Sequence, residues 1–259
     1  MVKLKKYNGL LRLFVLFLTF IFFFSCQSKR LGITKIEGKE IKLITDYPED
    51  SLIKKIIAPY KDSLDKDLSI VLAHCPETID KTGEWQTPMG NYFADVSFLK
   101  ANELMQSSYQ LPVDLVLLNS GGIRTIIPKG DVTARNAYEI MPFENNLSVL
   151  ELKGDQLLEL LAYFISEHKP HPIAGITFTI AKNQQPTHIN IQGKAFDPNA
   201  SYRVATNDYL ANGGDNMIFF KKALQRYDLH FKLRDVLIEH FKAADTIRAA
   251  KDQRVFIEN

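Results

Sequence analysis

The stretch VDLVLLNSGGIR, residues 113–124, joins a short apolar segment to a loop that contains two glycines. The apolar run from Val113 to Asn119 is typical of a buried strand. Gly121 and Gly122 allow a ligand to approach the backbone closely, and their N–H groups can line an anion cavity. Arg124 adds a planar guanidinium that suits a phosphate or a carboxylate. A tight turn with a surface arginine explains the same pattern equally well, because Gly-Gly turns are common.

A second stretch, MPFENNL at residues 141–147, places an aromatic residue between a proline and three polar residues. Pro142 restricts the chain ahead of Phe143, and the polar run that follows predicts a loop. A phenylalanine on a loop offers a stacking face for a nucleic base. The alternative, which is commoner in proteins, is that Phe143 fills the hydrophobic core.

A third stretch, YRVATNDYLANGGD at residues 202–215, predicts a strand that leads to a second aromatic residue, Tyr209. Gly213 and Gly214 then precede Asp215 in a turn. The carboxylate of Asp215 is suited to accept hydrogen bonds from the vicinal hydroxyls of a ribose, as acidic residues do in dinucleotide sites. An Asx-type turn without a ligand is the other interpretation.

Apolar spacing around these stretches predicts the other elements of the fold. We expect helices near residues 52–64, 89–105, 154–165 and 233–243, and strands near residues 69–74, 113–119, 147–152, 173–180, 186–192, 201–206 and 254–258. Helices and strands alternate irregularly, and the middle of the chain contains strands only. This order favours the α+β class, a single domain with a mixed sheet and flanking helices, over a doubly wound fold.

The N-terminus has the order of charges and apolar residues found in secretory signals. Basic residues precede the stretch from Leu13 to Phe24, and Ser25 and Cys26 follow it. Its twelve residues are too few to span a bilayer as a helix, which needs about 20. Cys26 after a small residue resembles a bacterial lipobox, although Phe23 stands where Leu is usual. An ordinary cleaved signal or an uncleaved anchor, with Cys26 incidental, is the alternative.

The sequence therefore predicts a lipoprotein signal peptide at residues 1–25, a polar tether at 26–50 and one domain at 51–259. Lipid on Cys26 would anchor the exported protein in the membrane of a bacterial cell envelope, on its periplasmic or outer-membrane face. Cys75 would then have no cysteine partner, and we expect it to be a small buried hydrophobic residue.

The charge balance argues against a nucleic-acid-binding protein. The chain of 259 residues has 32 Lys and Arg against 30 Asp and Glu, a formal net charge of +2. The predicted leader holds four of the basic residues and no acidic one, so the remaining chain has 28 positive and 30 negative charges, a net −2. Proteins that bind nucleic acid have a dominant basic face. Attraction for a small anion must therefore be local, around Arg124.

Taken in order, the three stretches resemble the C-terminal domain of the 5'-nucleotidases, a family that includes UDP-sugar hydrolases. The resemblance runs from about Thr82 to Ile257, and Met89-Gly-Asn91 and Ala94-Asp95 match the first helix of that domain. It implies that Asn119 and Arg124 contact the substrate near phosphate and ribose, that Phe143 and Tyr209 sandwich the base, and that Asp215 binds the ribose hydroxyls. The predicted substrate-binding set is Asn119, Gly121, Gly122, Arg124, Phe143, Asn145, Tyr209, Gly213, Gly214 and Asp215.

The sequence departs from the family pattern at two positions. The family more often has Phe where Tyr209 stands, and an aromatic face is retained. Family members commonly have an Arg where this chain has Gly83, which removes one contact on the phosphate side, and Lys81 is a candidate substitute.

The resemblance also implies what must come from elsewhere. Full-length family members carry an N-terminal metallophosphoesterase domain whose Asp, His and Asn signatures bind two metal ions. Those signatures do not occur in this sequence. His168 and His171 are close in sequence, but we interpret them as solvated loop residues without a nearby carboxylate. We therefore expect no catalytic residue, no metal ligand and no cofactor in this chain, and divalent metals only in a partner.

Three functional hypotheses remain open at this point. The chain is a nucleotide-recognition subunit that works with a separate metallophosphoesterase in nucleotide catabolism, or a stand-alone lipoprotein that binds nucleosides or nucleotides without catalysis. The third is a degenerate fold that is kept as a structural component of the envelope. The first is favoured, and nucleotide binding separates the first two from the third.

Overall fold

The computed structural model describes residues 8–23, 32–33, 35–40, 49–250 and 252–258. It divides into two units, Met1–Asp50 and Ser51–Asn259. In the first unit, helix α1 (Asn8–Phe23) coincides with the predicted leader. No helix in the described part of the chain is both long enough and apolar enough to cross a membrane. The predicted lipidation site, Cys26, lies outside the described residues, so lipid attachment stays a prediction.

The second unit contains the predicted domain. Its described helices are α2 (Ser51–Leu68), α3 (Pro88–Tyr109), α4 (Ala134–Ile140), α5 (Gly154–Glu167), α6 (Asp208–Ala211) and α7 (Leu233–Ala243). Its described strands are β1 (Val71–Cys75), β2 (Leu115–Leu117), β3 (Gly130–Thr133), β4 (Asn146–Lys153), β5 (Ile173–Ala174), β6 (Ile176–Ile180), β7 (Pro186–Ile191), β8 (Lys194–Ala195), β9 (Ser201–Asn207), β10 (Gln225–Lys232) and β11 (Val255–Ile257).

A five-stranded mixed sheet with the order β10-β4-β9-β2-β5 organises the domain. Strands β9 and β2 are parallel, and the other neighbours in this sheet are antiparallel. Strands β11, β6, β7 and β8 form a second sheet, and β1 pairs with β3. The predicted α+β class with mixed sheets and flanking helices is confirmed.

The inner strands β4, β9 and β2 contribute to cores on both faces of the five-stranded sheet, because successive side chains of a strand point to opposite faces. Val116, Val149 and Ala205 belong to a core that also includes residues of α3, α4 and α7. Their neighbours Leu117 and Val204 belong to a second core, which includes α5. This double burial explains why β2 is apolar throughout and why β9 is buried without interruption from Val204 to Asn207.

The register of the sheet brings the carboxyl ends of β2 and β9 beside the amino end of β4. Strands β2 and β9 run parallel, so their carboxyl ends lie side by side. Strand β4 is antiparallel to β9, and its pairing begins with Leu147 opposite Asn207. The residues that follow β2 and β9 and the residues that precede β4 therefore meet at the same edge. These are the positions of the three stretches that the sequence singled out.

Several elements differ from the predicted ones. The predicted strand at residues 173–180 is divided into β5 and β6 at Gly175, which has φ +75° and approaches the Asp114 carbonyl so closely that a Cβ would lie 2.4 Å from that oxygen. Helix α4 and edge strand β10 were not predicted. Cys75 is a free, buried thiol, as predicted, and it donates a hydrogen bond to the Glu77 carbonyl.

Candidate functional site

A cavity of about 410 Å³ lies at this edge of the central sheet. Its volume falls within the range of small-molecule sites, about 300–1,000 Å³. The residues that line it are Asn119, Gly121, Gly122, Arg124, Phe143, Asn145, Tyr209 and Asp215. All eight belong to the predicted substrate-binding set. The other two members, Gly213 and Gly214, form the turn that leads into Asp215.

The amide side chain of Asn119 connects two strand ends beneath the cavity. Asn119 follows β2, is buried, and accepts a hydrogen bond at Oδ1 from Nδ2 of Asn207 at 3.3 Å. Asn207 ends β9, and its own Oδ1 accepts the Leu210 N–H at 2.8 Å as the N-cap of α6. At Gly122 a Cβ would lie only 3.1 Å from the Asn119 Oδ1. The glycine therefore allows the loop to fold over this amide.

Arg124 places a cation at the mouth of the cavity. Its backbone N–H donates to the Ile140 carbonyl at 2.8 Å, and Nη1 donates to the Gly121 carbonyl at 3.3 Å. The guanidinium carbon lies 6.0 Å from the centroid of the Phe143 ring. Within the described residues Arg124 forms no ion pair, and its side chain is exposed. Its charge therefore remains available to an anionic ligand.

Phe143 is 42% exposed. This exposure excludes the alternative that the Phe143 side chain fills the hydrophobic core. The next residue anchors this loop, since the Glu144 carboxylate pairs with Lys232 and with Arg234, each at 2.5 Å. Hydrogen bonds from these two cations lower the pKa of Glu144 to about 2. The Phe143 ring is therefore presented to solvent on an anchored loop.

Tyr209 lies in α6 and contacts Asp215, which lies in the turn directly after that helix. The Tyr209 hydroxyl donates to Asp215 Oδ1 at 2.8 Å and accepts the Asp215 N–H at 3.1 Å. The hydrogen bond to the carboxylate raises the pKa of Tyr209. A Cβ at Gly214 would lie 2.5 Å from the Tyr209 ring, so the ring packs on the turn only because residue 214 is glycine. Tyr209 is 44% exposed, and its exposed surface lines the cavity.

The prediction that His168 and His171 are solvated and lack a nearby carboxylate is wrong in two respects. His171 is 3% exposed, and its Nδ1 accepts the Ser120 N–H at 3.2 Å. His168 is exposed, but its Nε2 lies 2.8 Å from the Glu84 carboxylate and its ring lies 4.2 Å from that of Trp85. The folding of the chain after α5 against the central sheet, which sequence spacing does not reveal, accounts for the burial of His171.

The backbone conformation at Gly83 leaves no room for the arginine that the family resemblance implies at this position. Gly83 has φ +146°, and a Cβ at this position would lie 1.9 Å from the Gln86 carbonyl oxygen. Any side chain is therefore excluded by this conformation. Lys81 lies close by, with Nζ donating to the Ile123 carbonyl at 2.7 Å, next to Arg124. A contact between Lys81 and a phosphate stays a prediction.

The described residues contain no group of three or more His, Cys, Asp or Glu side chains that could hold a metal ion. The expectation that divalent metals belong to a partner protein is not tested by this observation.

Comparison with known proteins agrees with the geometry. Residues 71–222 match the family described as 5'-nucleotidase, C-terminal domain. The trifunctional nucleotide phosphoesterase protein YfkN of Bacillus subtilis is 32% identical over 171 residues, which are 61% of this chain and 11% of that protein. A 5'-nucleotidase of Vibrio cholerae is 25% identical over 187 residues, 69% of this chain and 32% of the relative.

A solved structure has the same fold. The crystal structure of the 5'-nucleotidase precursor from Thermus thermophilus aligns with a TM-score of 0.68 and 25% identity, covering 82% of this chain and 44% of that one. The chain thus spans less than half the length of each of these relatives.

Proposed function

The chain belongs to the 5'-nucleotidase C-terminal domain family, and from this premise we propose that it is the nucleotide-recognition part of a 5'-nucleotidase-type phosphohydrolase. In this proposal it binds the base and the ribose of a nucleotide, while a separate metallophosphoesterase supplies the metal ions. The observation that carries the proposal is the cavity, which gathers two exposed aromatic rings, a carboxylate and a guanidinium from three distant parts of the chain.

The two aromatic residues supply the base-binding function. Phe143 precedes β4 and Tyr209 follows β9, and both line the cavity with rings that are 42% and 44% exposed. Exposed apolar surface that is gathered in one cavity and rimmed by polar residues is typical of ligand sites. Stacking on a base stabilises a complex by about 1–3 kcal/mol for each base. A base held between the two rings would cover both of them.

The polar residues suit the remaining parts of a nucleotide. The Asp215 carboxylate accepts hydrogen bonds only, and the vicinal hydroxyls of a ribose are donors that match it. Arg124 carries a charge with no ionic partner among the described residues, which suits the phosphate. Asn119, Asn145 and the backbone at Gly121 and Gly122 complete the polar wall.

The reaction would be hydrolysis of a phosphate ester at the 5' position. A partner's metal ions would supply activation of the attacking water and neutralisation of charge on the phosphate. The residues of this chain would bind and orient the nucleotide so that its phosphate projects from the cavity. Holding the substrate in one orientation lowers the entropic part of the barrier.

The location of the protein follows from its N-terminus in this proposal. We expect export across the cytoplasmic membrane, acylation of Cys26 and attachment to the bacterial cell envelope. A soluble metallophosphoesterase in the same compartment is the partner that this arrangement requires. Nucleic acid is not an expected ligand, because net charge offers no basic surface.

Calorimetry with the full chain and adenosine 5'-monophosphate tests the first step of the proposal, and we expect saturable binding. Adding a purified secreted metallophosphoesterase should raise phosphate release from the same nucleotide. Binding without any gain in hydrolysis would instead identify a stand-alone nucleotide-binding lipoprotein. Absence of binding to nucleoside, nucleotide and nucleotide sugar alike would contradict the whole proposal.

A further inference from the structure

We propose that His171 and Tyr163 are positioning residues that hold the two ligand-binding loops of the cavity at a fixed separation. The first is the NSGGIR loop, residues 119–124, and the second is the GGD turn, residues 213–216. Neither His171 nor Tyr163 lines the cavity. Both act through the backbone of a loop, and they come from α5 and the segment directly after it.

His171 contacts the NSGGIR loop through a single backbone group. The Ser120 N–H donates to Nδ1 of His171 at 3.2 Å. A backbone N–H is only a donor, so Nδ1 must be unprotonated and a neutral ring carries its proton on Nε2. The next residue adds a second attachment to the same strand end, since the Pro172 carbonyl accepts the Leu118 N–H at 2.9 Å.

Tyr163 contacts the GGD turn in the corresponding way. Its hydroxyl donates to the Asp215 backbone carbonyl at 2.6 Å. The Tyr163 ring packs on His171, with centroids 6.0 Å apart, and on Phe219, with centroids 5.7 Å apart. One pair of packed rings therefore touches both loops, and the distance between the loops depends on that pair.

The backbone of the GGD turn needs such support. Asp215 has φ +50° and Asn216 has φ +60°, in the left-handed region, which Asp and Asn adopt more readily than other side chains but still at a cost in backbone energy. Strain of this kind persists only where surrounding contacts impose it, and it is concentrated at ligand sites. The carbonyl of Asp215 is held by Tyr163 and its N–H by Tyr209. The carboxylate is thereby aimed before a ligand arrives.

The electrostatic surroundings keep His171 neutral. Burial is the main cause that lowers its pKa to about 4, and Lys169 acts in the same direction. Asp215, Glu167 and the Leu118 carbonyl oppose them and are outweighed. Nδ1 therefore remains an acceptor throughout the neutral range. Protonation of Nδ1 would place its N–H against the Ser120 N–H. Two donors cannot share a hydrogen bond, so the contact between His171 and the Ser120 amide would be lost.

Two substitutions at residue 171 separate hydrogen bonding from packing. His171→Phe keeps an aromatic ring but cannot accept the Ser120 N–H, whereas His171→Asn offers an amide oxygen near the position of Nδ1. We expect His171→Phe to weaken binding of adenosine 5'-monophosphate about 3- to 10-fold, the size of one hydrogen bond. His171→Asn keeps the acceptor but loses the ring contact with Tyr163, so it should weaken binding less than His171→Phe does.

Tyr163→Phe removes only the hydroxyl and should weaken binding by about 3-fold. Tyr202→Phe is the matched control, because its hydroxyl also bonds to backbone, at Asp197, but lies in a different part of the domain. Thermal unfolding of each variant reports whether it is folded. Equal weakening by His171→Phe and His171→Asn, or by Tyr163→Phe and Tyr202→Phe, would overturn the proposal.

The ligand arm of this test rests on the proposed function, and a second measurement does not. Nitrogen chemical shifts of the His171 ring distinguish an unprotonated Nδ1 from a protonated one. Hydrogen exchange of the Ser120 amide should be slow in the wild type and in His171→Asn, and about 10-fold faster in His171→Phe. A protonated Nδ1 at neutral pH, or equal exchange in all three proteins, contradicts the inference. A wild type that binds no nucleotide but shows the expected exchange contradicts only the proposed function.

Discussion

Replacing Phe143 by alanine should weaken nucleotide binding about 30-fold without unfolding the protein. The ring is 42% exposed, and a phenylalanine of about 200 Å² therefore keeps about 80 Å² available to a stacked base. At about 25 cal/mol for each Å² covered, this area contributes about 2 kcal/mol, or about 30-fold in Kd. The figure agrees with the measured range for base stacking on aromatic side chains, about 1–3 kcal/mol.

Calorimetric titration measures this change, with two ligands and one control variant. Adenosine 5'-monophosphate should bind the Phe143→Ala protein about 30-fold more weakly, whereas ribose 5-phosphate, which has no base, should bind both proteins alike. Phe256→Ala is the matched control, because Phe256 is 41% exposed but lies on β11, outside the cavity. Its binding of both ligands should equal that of the wild type.

Three outcomes would refute the stacking argument. They are an unchanged Kd for adenosine 5'-monophosphate, an equal loss for the ligand without a base, and an equal loss in Phe256→Ala. A lower melting temperature in Phe143→Ala would be separated from binding by titrating at a temperature where both proteins remain folded.

Three other changes test the polar residues of the cavity and the ion pairs that anchor the Phe143 loop. Arg124→Ala should weaken adenosine 5'-monophosphate by about 10- to 100-fold and leave adenosine within about 2-fold, because the guanidinium would bind only the phosphate; equal losses for both ligands would refute that role. Glu144 has a folded pKa of about 2, below its ordinary 4.5, so its pairs with Lys232 and Arg234 stabilise the fold above pH 4.5 and are lost as pH falls through 2. Urea unfolding from pH 6 to 2 should therefore show a smaller loss for Glu144→Gln than for wild type, and parallel curves would contradict this. Tyr209→Phe removes the two hydrogen bonds that orient Asp215, so adenosine should bind a few-fold more weakly and 2',3'-dideoxyadenosine should not; an equal loss for both would show that the hydroxyl does not act through the ribose site.

The apolar pattern was sufficient for most elements of this fold. Helix α5 and strands β4 and β9 occur close to their predicted bounds, because their apolar residues face cores that require the matching period. Strand β10 was not predicted, because few of its residues are apolar and none of them is fully buried. It is the outermost strand of the sheet, and each of its residues is either partly exposed or exposed. An edge strand with one wet face carries a weak apolar signal.

The histidines show where local patterns stop being informative. His171 stands between two prolines in a polar stretch, which is typical of a solvated loop. Its burial arises because the Pro172 carbonyl bonds to the Leu118 N–H of the central sheet, a contact between residues far apart in sequence. No spacing rule predicts such a contact, and the role of the ring next to Ser120 is visible only in three dimensions.

By itself, the sequence singled out the residues that line the cavity, because glycine pairs, loop aromatics and a turn carboxylate are residue types that a core or an ordinary surface does not favour. It did not determine that they lie together. Tertiary structure decided that, through the pairing of β2 parallel and β4 antiparallel to β9, which brings three strand ends to one edge of the sheet. Tertiary structure also decided which groups hold the loops in place, since buried partners such as His171 and Tyr163 are selected by distance in space and leave no periodic signal along the chain.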